Sequence, residues 1–202
     1  MTAPTPTGER VAVTPAAVRD AATTLFAEKG YHGTALSEVA AHLGIRTPSL
    51  YNHMRSKQEL LAEIVLDTSQ QVWAEFGAAV DGRADVVDRL REAARVYALR
   101  HATHRREALI VNRDVASLAE PVLSQVLDLR RRHERAVRAL IAEGVAQGRL
   151  AAEDPRTASF GLLEMCVSVA RWFSPDGALS AQDVAEQYSD FALRVAGLRD
   201  PD

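Results

Sequence analysis

The segment from Thr34 to Lys57, TALSEVAAHLGIRTPSLYNHMRSK, predicts two short helices joined by a glycine turn. Apolar residues in the first helix recur at i, i+3, i+4 and i+7, which predicts one buried stripe: Leu36, Val39, Ala40 and Leu43. Gly44 is expected to end this helix, because glycine adopts the left-handed turn conformation without steric cost. Thr47 is expected to cap the second helix, and Pro48 suits its first position, where a missing N–H costs nothing.

The second helix is predicted to turn a polar face outward. Leu50 and Met54, four residues apart, are expected to point back at the first helix. Five residues then face solvent: Thr47, Ser49, Tyr51, Asn52 and His53. The segment from 44 to 58 holds no acidic residue and three basic ones: Arg46, Arg55 and Lys57. This pattern is typical of a helix that enters a DNA groove. The alternative is an ordinary solvated helical corner, although the helix lacks the wide apolar face that a scaffold element would bury.

The run GIRTPSLYNHMRSKQELL resembles the signature of the TetR family of bacterial transcriptional regulators, and the resemblance covers residues 14 to 64. The preceding LFAEKGYHGTALSEVA supplies the family's Phe, Gly-Tyr and Gly-Thr elements: Phe26, Gly30, Tyr31, Gly33 and Thr34. The resemblance implies a groove-facing recognition helix formed by Thr47, Pro48, Ser49, Tyr51, Asn52 and His53. It also implies that Lys57 contacts a DNA phosphate and that Thr34 and Ser37 contact the DNA backbone. The sequence departs from the family pattern at two positions. Met54 stands where the family usually has Phe, and Thr47 stands where many members have Lys. The second departure leaves one phosphate or guanine contact open.

Length and composition fit a small globular regulator. The chain has 202 residues, of which 47% are hydrophobic and 25% charged, and no run of eighteen apolar residues occurs. Residues 1–13 lack the basic start and apolar core of a signal peptide and are interpreted as a flexible arm. The single cysteine, Cys166, is expected to be a small core residue in a reducing cytoplasm, with a redox sensor as the alternative.

The net charge of −3 is divided unevenly along the chain. Residues 1–60 contain six Lys and Arg against five Asp and Glu, which leaves 18 against 22 for the remainder. Screening limits the range of interactions between exposed charges to about 8–10 Å at cellular salt, so DNA affinity depends mainly on the basic residues near the phosphates. The modest local charge predicts weak binding by a single copy, and hence a need for two copies.

The remainder of the chain has helical periodicity, with Pro and Gly at the joints and no convincing alternating strand pattern. We therefore predict an all-α protein of about nine helices, with a three-helix helix-turn-helix head followed by a helical bundle. The predicted division is a flexible arm at 1–13, a DNA-binding domain at 14–57 and a ligand-binding and dimerisation domain at 58–202.

Aromatic, thioether and polar side chains in the second domain are candidates for a small-molecule pocket, because such pockets are mainly apolar with a few polar anchors. The selected ligand-binding residues are Trp73, Tyr97, Arg113, Met165 and Trp172. Further candidates are His101, Asn112 and Glu164. The alternative for each of them is a plain core or surface position.

The C-terminal half, from about residue 97 to 198, is similar to TetR-family regulators of fatty-acid, phenylacetate and steroid catabolism. The similarity rests on RRRHERAVRALIAEGVAQGRL and VARWFSPDGALSAQDVAEQYSDFAL, with the Arg-Trp-Phe and Pro-Asp-Gly elements at 171–173 and 175–177. It implies an acyl-CoA thioester as the inducer. Four arginines are candidates for its phosphate-bearing part: Arg100, Arg105, Arg106 and Arg113.

The family resemblance also implies a homodimer, because two heads are needed to read a palindromic operator. The last two long helices, about 155–173 and 180–195, would pair with their copies. Their apolar positions would face the partner as well as the core: Phe160, Leu163, Val167, Ala170, Val184, Tyr188, Phe191 and Val195. A monomer that buries all of these internally is the alternative.

The function predicted from the sequence is a ligand-responsive transcriptional regulator, of the repressor type, that acts on double-stranded DNA without a cofactor or a metal. An enzyme is a weaker hypothesis, because the chain has no GxGxxG, Walker or GxSxG motif. A metal-responsive regulator is a second alternative, since His101, His104 and Glu107 lie close in sequence and His133 lies elsewhere. However, Glu107 falls about 120° away from the face of His101 on a helix.

Overall fold

The computed structural model describes residues 13–199, and this part of the chain contains nine α-helices and no strand. The helices are α1 (Pro15–Lys29), α2 (Leu36–His42), α3 (Thr47–Leu50), α4 (Lys57–Val80), α5 (Val86–Thr103), α6 (Arg105–Asp114), α7 (Val122–Ala146), α8 (Pro155–Trp172) and α9 (Ala181–Val195). A short 3₁₀ turn at Val115–Ser117 extends α6. The all-α prediction with about nine helices is confirmed. The predicted arm at 1–13 lies almost entirely outside the described residues.

The head is built by α1, α2 and α3 around a compact apolar centre. Thr14 caps α1 by accepting a hydrogen bond from the Ala17 N–H at 3.2 Å. Gly44 follows α2 with φ +67°, the left-handed conformation predicted for it. Leu50 and Met54 are buried as predicted. Methionine thus occupies the position where the family usually has Phe, as a flexible core residue.

Two local expectations for the second helix are wrong. Thr47 does not cap α3: it is the first helical residue, the N-cap is Arg46, and no side chain caps this helix. Helix α3 is also shorter than the pattern indicated, since the chain passes into turns at residues 51–53. The proline fixes the start of the helix, but Thr47 lies one position too late for its hydroxyl to reach the free N–H groups.

The second domain is organised around α5, which packs against α4, α7, α8 and α9. Its core contains fully buried large side chains from four helices: Leu90, Ile141, Leu162 and Leu193. Cys166 is also buried in this core, as predicted, and burial raises the pKa of its thiol to about 12. The thiol therefore stays protonated at neutral pH.

The core of the head continues into the second domain. The cluster around Phe26 also contains Ile110 from α6, Leu118 after the 3₁₀ turn and Val126 from α7. The predicted boundary between residues 57 and 58 coincides with the start of α4 but not with a gap in the packing. Across residues 13–199, no helix is both long and apolar enough to cross a membrane.

Candidate DNA-binding surface and ligand cavity

Helix α3 and the turn after it present the polar surface that the sequence predicts. Pro48, Tyr51 and Asn52 are exposed, and Tyr51, with 57% of its surface accessible, is the most exposed large apolar side chain among residues 13–199. Thr47, Ser49 and His53 are half-buried beside them. Ser37 is exposed on α2. The seven predicted residues thus lie on α2, on α3 and in the turn after α3, four of them exposed and three half-buried, and their contact with DNA stays a prediction.

Thr34 does not belong to this surface, and its assignment as a DNA contact is corrected. Only 2% of the residue is accessible, and its hydroxyl lies 3.1 Å from the Leu25 oxygen and 2.9 Å from the Gly30 oxygen. The Leu25 carbonyl lies near the end of α1, and the Gly30 carbonyl follows directly after this helix. Thr34 therefore ties the chain before α2 to the end of α1.

Lys57, the predicted phosphate contact, is half-buried at the start of α4. Its Nζ atom lies 4.3 Å from the centre of the Tyr31 ring, which is a cation–π contact. Burial lowers the pKa of Lys57, while Asp114 and Glu38 act in the opposite direction. Arg55, by contrast, leaves 90% of its side chain exposed. Lys57 therefore has a packing role beside the phosphate role that the family resemblance implies.

Lys57→Ala is expected to weaken binding to every DNA sequence and to reduce the slope of log affinity against log salt by about one unit. Ser49→Ala should leave that slope unchanged and alter the preferred base pairs. Fluorescence anisotropy at several salt concentrations measures both effects. A lower melting temperature together with an unchanged salt slope would assign Lys57 to packing against Tyr31 alone.

Helices α4, α5, α6 and α7 line a cavity of about 70 Å³ that opens to solvent. Its apolar wall consists of Val72, Trp73, Ala108, Val111 and Leu129. Its polar groups are Thr68, Ser69, Tyr97, Arg100, His101, His104, Asn112, Arg130 and His133. Nine of the fourteen lining residues carry polar groups, but apolar atoms form most of the lining surface, which is typical of small-molecule sites.

Two histidines inside the cavity are neutral at pH 7. Burial lowers the pKa of His101 to about 4, against the opposing effect of a hydrogen bond to the Tyr97 backbone oxygen. Burial also lowers the pKa of His133 to about 4, and His101 adds to that shift. His101 Nδ1 lies 2.8 Å from the Tyr97 oxygen, so Nδ1 carries the proton and Nε2 is left as an acceptor.

An aromatic cluster holds these groups in place. The Tyr97 ring packs edge-on against His101 and His133, with centroid distances of 4.5 and 4.7 Å. His133 also meets Phe76 at 5.0 Å, and Phe76 stacks on Trp73. Two of the five predicted ligand-binding residues, Trp73 and Tyr97, therefore lie at the cavity.

The other three predicted ligand-binding residues lie elsewhere. Met165 is half-buried against the main core of the second domain, on α8 rather than at the cavity. Trp172 is 48% accessible and stacks on Tyr188, to whose hydroxyl its indole N–H donates at 3.2 Å. Helix periodicity identifies an amphipathic face but does not specify which neighbouring element the face contacts, and this is why α8 was misassigned.

Arg113 is the third misassigned residue, and its contacts give it another role. Its guanidinium donates to the backbone oxygens of Phe26 and Ala27 at the end of α1 and pairs with Asp114 at 2.9 Å. A cation at a helix C-terminus hydrogen-bonds the last carbonyls and opposes the negative end of the helix dipole. Arg113 therefore ties α6 to the head. The opposite side of α6 contributes Ala108 and Val111 to the cavity.

The remaining candidates divide in the same way. Glu164 is exposed on α8, and Asn112 is exposed at the cavity edge. Arg105 donates to the Ala170 oxygen at 3.0 Å, and Arg106 pairs with Asp20 of α1 at 2.8 Å. Of the four arginines considered for a phosphate group, only Arg100 lines the cavity.

Sequence reasoning missed Arg130 as a cavity residue, although a signal was present. Arg130, Arg131 and Arg132 are adjacent, and only Arg130 shares the helical stripe of the buried residues Val126, His133 and Val137. The periodicity of α7 therefore singles out one of three arginines.

A metal site has no support in this arrangement. His101, His104 and His133 line the cavity. Within residues 13–199, however, no group of three or more His, Cys, Asp or Glu side chains is placed to hold a metal ion.

An apolar surface remains uncovered on α8, α9 and their flanks. Six of the seven exposed large hydrophobic residues of the described chain lie there: Phe160, Trp172, Leu179, Phe191, Val195 and Leu198. Val167, Ala170 and Val184, which were also predicted to face a partner, are buried within the chain. The apolar residues of α8 and α9 thus divide into some that are buried within the chain and others that are exposed on its surface.

A helix-turn-helix head with an exposed polar second helix, joined to a helical domain that encloses a cavity, defines a class of DNA-binding regulators. The sequence profile described as "Bacterial regulatory proteins, tetR family" matches residues 18–64, and "Tetracyclin repressor-like, C-terminal domain" matches residues 83–196. The chain belongs to the TetR family of transcriptional regulators.

Individual relatives agree with this assignment. The HTH-type transcriptional repressor KstR2 of Mycobacterium tuberculosis is 27% identical over 176 residues, covering 85% of this chain and 87% of the relative. The crystal structure of PfmR, a TetR-family regulator from Thermus thermophilus, is 33% identical with a TM-score of 0.78, covering 91% and 99% of the two chains. AibR, crystallised with isovaleryl coenzyme A and operator DNA, shares the fold with a TM-score of 0.78 at 24% identity, covering 92% and 98%.

Proposed function

We propose that the protein is a homodimeric repressor that binds a palindromic operator through α3 and releases it when an acyl-CoA thioester enters the cavity. The observation that carries this proposal is the position of α6. One side of this helix lines the cavity through Ala108 and Val111, and the other holds the end of α1 through Arg113. A ligand that displaces α6 therefore acts on the head directly.

The acyl-CoA class is supported by chemistry and by relatives. The cavity combines aromatic and aliphatic side chains with polar groups, which suits an acyl chain with a carbonyl. KstR2 is an HTH-type transcriptional repressor, and AibR has been crystallised with isovaleryl coenzyme A and operator DNA. The likeness to AibR concerns the fold, so the ligand class is taken from it by analogy.

Release requires that the ligand favour a conformation in which the two heads no longer match the operator. A ligand shifts such an equilibrium only by its difference in affinity for the two conformations. Two connections lead from the cavity to the head. Helix α4 runs from Lys57 past Trp73, and α6 holds α1 through Arg106 and Arg113. Movement of either changes the spacing between recognition helices, which is geometrically strict.

The test is operator release, measured by fluorescence anisotropy on DNA selected from a random pool by the purified protein. Short, long, aromatic and steroid-derived acyl-CoAs are added at saturating concentration, with coenzyme A as the matched control without an acyl group. At least one acyl-CoA should reduce operator affinity by about tenfold or more, which corresponds to a coupling free energy of about 1.4 kcal/mol. If no acyl-CoA in the panel releases DNA or raises the melting temperature, this ligand class is wrong and the DNA-binding assignment is unaffected.

A further inference from the structure

Arg130 brings a positive charge to the cavity wall, and no carboxylate pairs with it. It projects from α7, is half-buried, and donates from Nη2 to the backbone oxygen of Val111 on α6 at 2.6 Å. Among residues 13–199, this carbonyl is its one hydrogen-bond acceptor, and no carboxylate lies within ion-pairing distance. A guanidinium has five N–H donors, so four remain for another partner.

The other arginine of the wall is in a different state. Arg100 forms an ion pair with Glu75 and donates to the Gln71 side-chain oxygen at 2.8 Å. Its charge is therefore already neutralised within the protein. Of the two cavity arginines, Arg130 is the one whose charge is free to meet a ligand.

The rest of the cavity provides no negative charge for Arg130. None of the lining residues is Asp or Glu. Burial lowers the pKa of Arg130 and outweighs the opposing effects of Tyr97 and Glu164, which means that the surroundings disfavour its charged form. Tyr97 and Thr68 line the same cavity and add hydroxyl groups to its wall. A partly desolvated cation without an ion-pair partner gains from an anion that enters the cavity.

We propose that Arg130 binds a carboxylate of the ligand, so that this cavity selects carboxylate-bearing acyl groups over uncharged ones. A planar guanidinium matches a carboxylate with two parallel hydrogen bonds, and such charge-assisted bonds are stronger than neutral ones. The carboxylate comes either from the far end of an acyl-CoA chain or from a free carboxylic acid. The inference rests on the proposed function only in taking the cavity as the effector site.

Isothermal titration calorimetry on the full-length protein without DNA tests this selectivity separately from operator release. One arm compares adipoyl-CoA with hexanoyl-CoA, which have six-carbon chains and differ in the terminal carboxylate. The other arm compares hexanoate with hexanamide. In at least one arm the anionic ligand should bind about ten- to a hundredfold more tightly, as expected for hydrogen bonds to a charged group. The arm that shows the preference identifies the source of the carboxylate.

Variants assign the preference to Arg130. Arg130→Gln and Arg130→Met should remove the preference, by lowering the affinity for the anionic ligand to that for the uncharged one. Arg132→Gln, an exposed neighbour on α7, is the matched control and should keep the preference. Arg130→Met should also melt no lower than the wild type without ligand, since it removes an unpaired charge.

Three results would overturn the proposal. The first is equal affinity for the anionic and uncharged ligands in both arms. The second is a preference that survives in Arg130→Gln or Arg130→Met. The third is a large loss of melting temperature in both variants, which would identify Arg130 as a structural residue through its hydrogen bond to Val111.

Discussion

Phe191→Glu is expected to yield a folded monomer whose operator affinity is at least about a hundredfold lower, because a single head loses the avidity of the second half-site. Phe191 is exposed on α9, 5.7 Å from the Tyr188 ring, within the uncovered apolar surface. A carboxylate at this position is solvated in a monomer and desolvated in a dimer, so it opposes association without disturbing the fold. Phe160→Glu on α8 should act in the same way.

A concentration series in analytical ultracentrifugation, combined with anisotropy on the operator, measures this effect. Ala74→Glu places the same charge on an exposed residue of α4, outside the apolar surface, and should remain dimeric. A dimeric Phe191→Glu would move the interface elsewhere. A wild-type protein that is monomeric at micromolar concentration would remove the dimer from the proposal altogether.

Arg113→Ala is expected to separate ligand binding from DNA release. Acyl-CoA affinity should stay within about twofold of wild type, while the ligand-induced drop in operator affinity should shrink by about tenfold, the size of a typical coupling factor. Operator binding without ligand should stay nearly intact. The physical reason is that Arg113 contacts the Phe26 and Ala27 oxygens of α1 and does not line the cavity.

Trp73→Ala provides the contrasting result, because Trp73 lines the cavity and its loss should lower acyl-CoA affinity itself. Arg132→Ala, an exposed arginine on α7, is the matched control for loss of charge. Calorimetry measures ligand affinity and anisotropy measures release. A fall in acyl-CoA affinity for Arg113→Ala would restore the original assignment of this residue as a ligand contact, and undiminished release would exclude α6 as the connection.

Helix positions could be predicted because their signals are local. Ser56, Asp154 and Ser180 each accept a hydrogen bond from a backbone N–H in the first turn of the following helix, at α4, α8 and α9. Such caps depend on residues two or three positions apart, and a sequence displays them directly. The same holds for Gly44 after α2.

The misassigned site residues depend on contacts between distant parts of the chain. Thr34 is buried because its hydroxyl packs against the end of α1. Arg113 contacts the Ala27 oxygen of α1, 86 residues away in sequence, because α6 packs against α1. Trp172 and Met165 lie on an amphipathic helix whose neighbours the periodicity does not name. Arg130 is an intermediate case. The periodicity of α7 places it on the buried face, but the sequence does not indicate its contact with the Val111 oxygen of α6.

The packing of Ile110, Leu118 and Val126 against Phe26 has a consequence for how such regulators diversify. These three side chains come from beyond the DNA-reading segment, yet they complete its apolar centre. A head cut off at residue 57 would leave part of that centre in water, at a cost of about 1.5–3 kcal/mol for each large side chain that becomes fully exposed. The functional boundary between residues 57 and 58 is therefore not a boundary between independently folding domains. Recombination that joins this head to a foreign effector domain would have to bring α4, α6 and the first turns of α7 along with it.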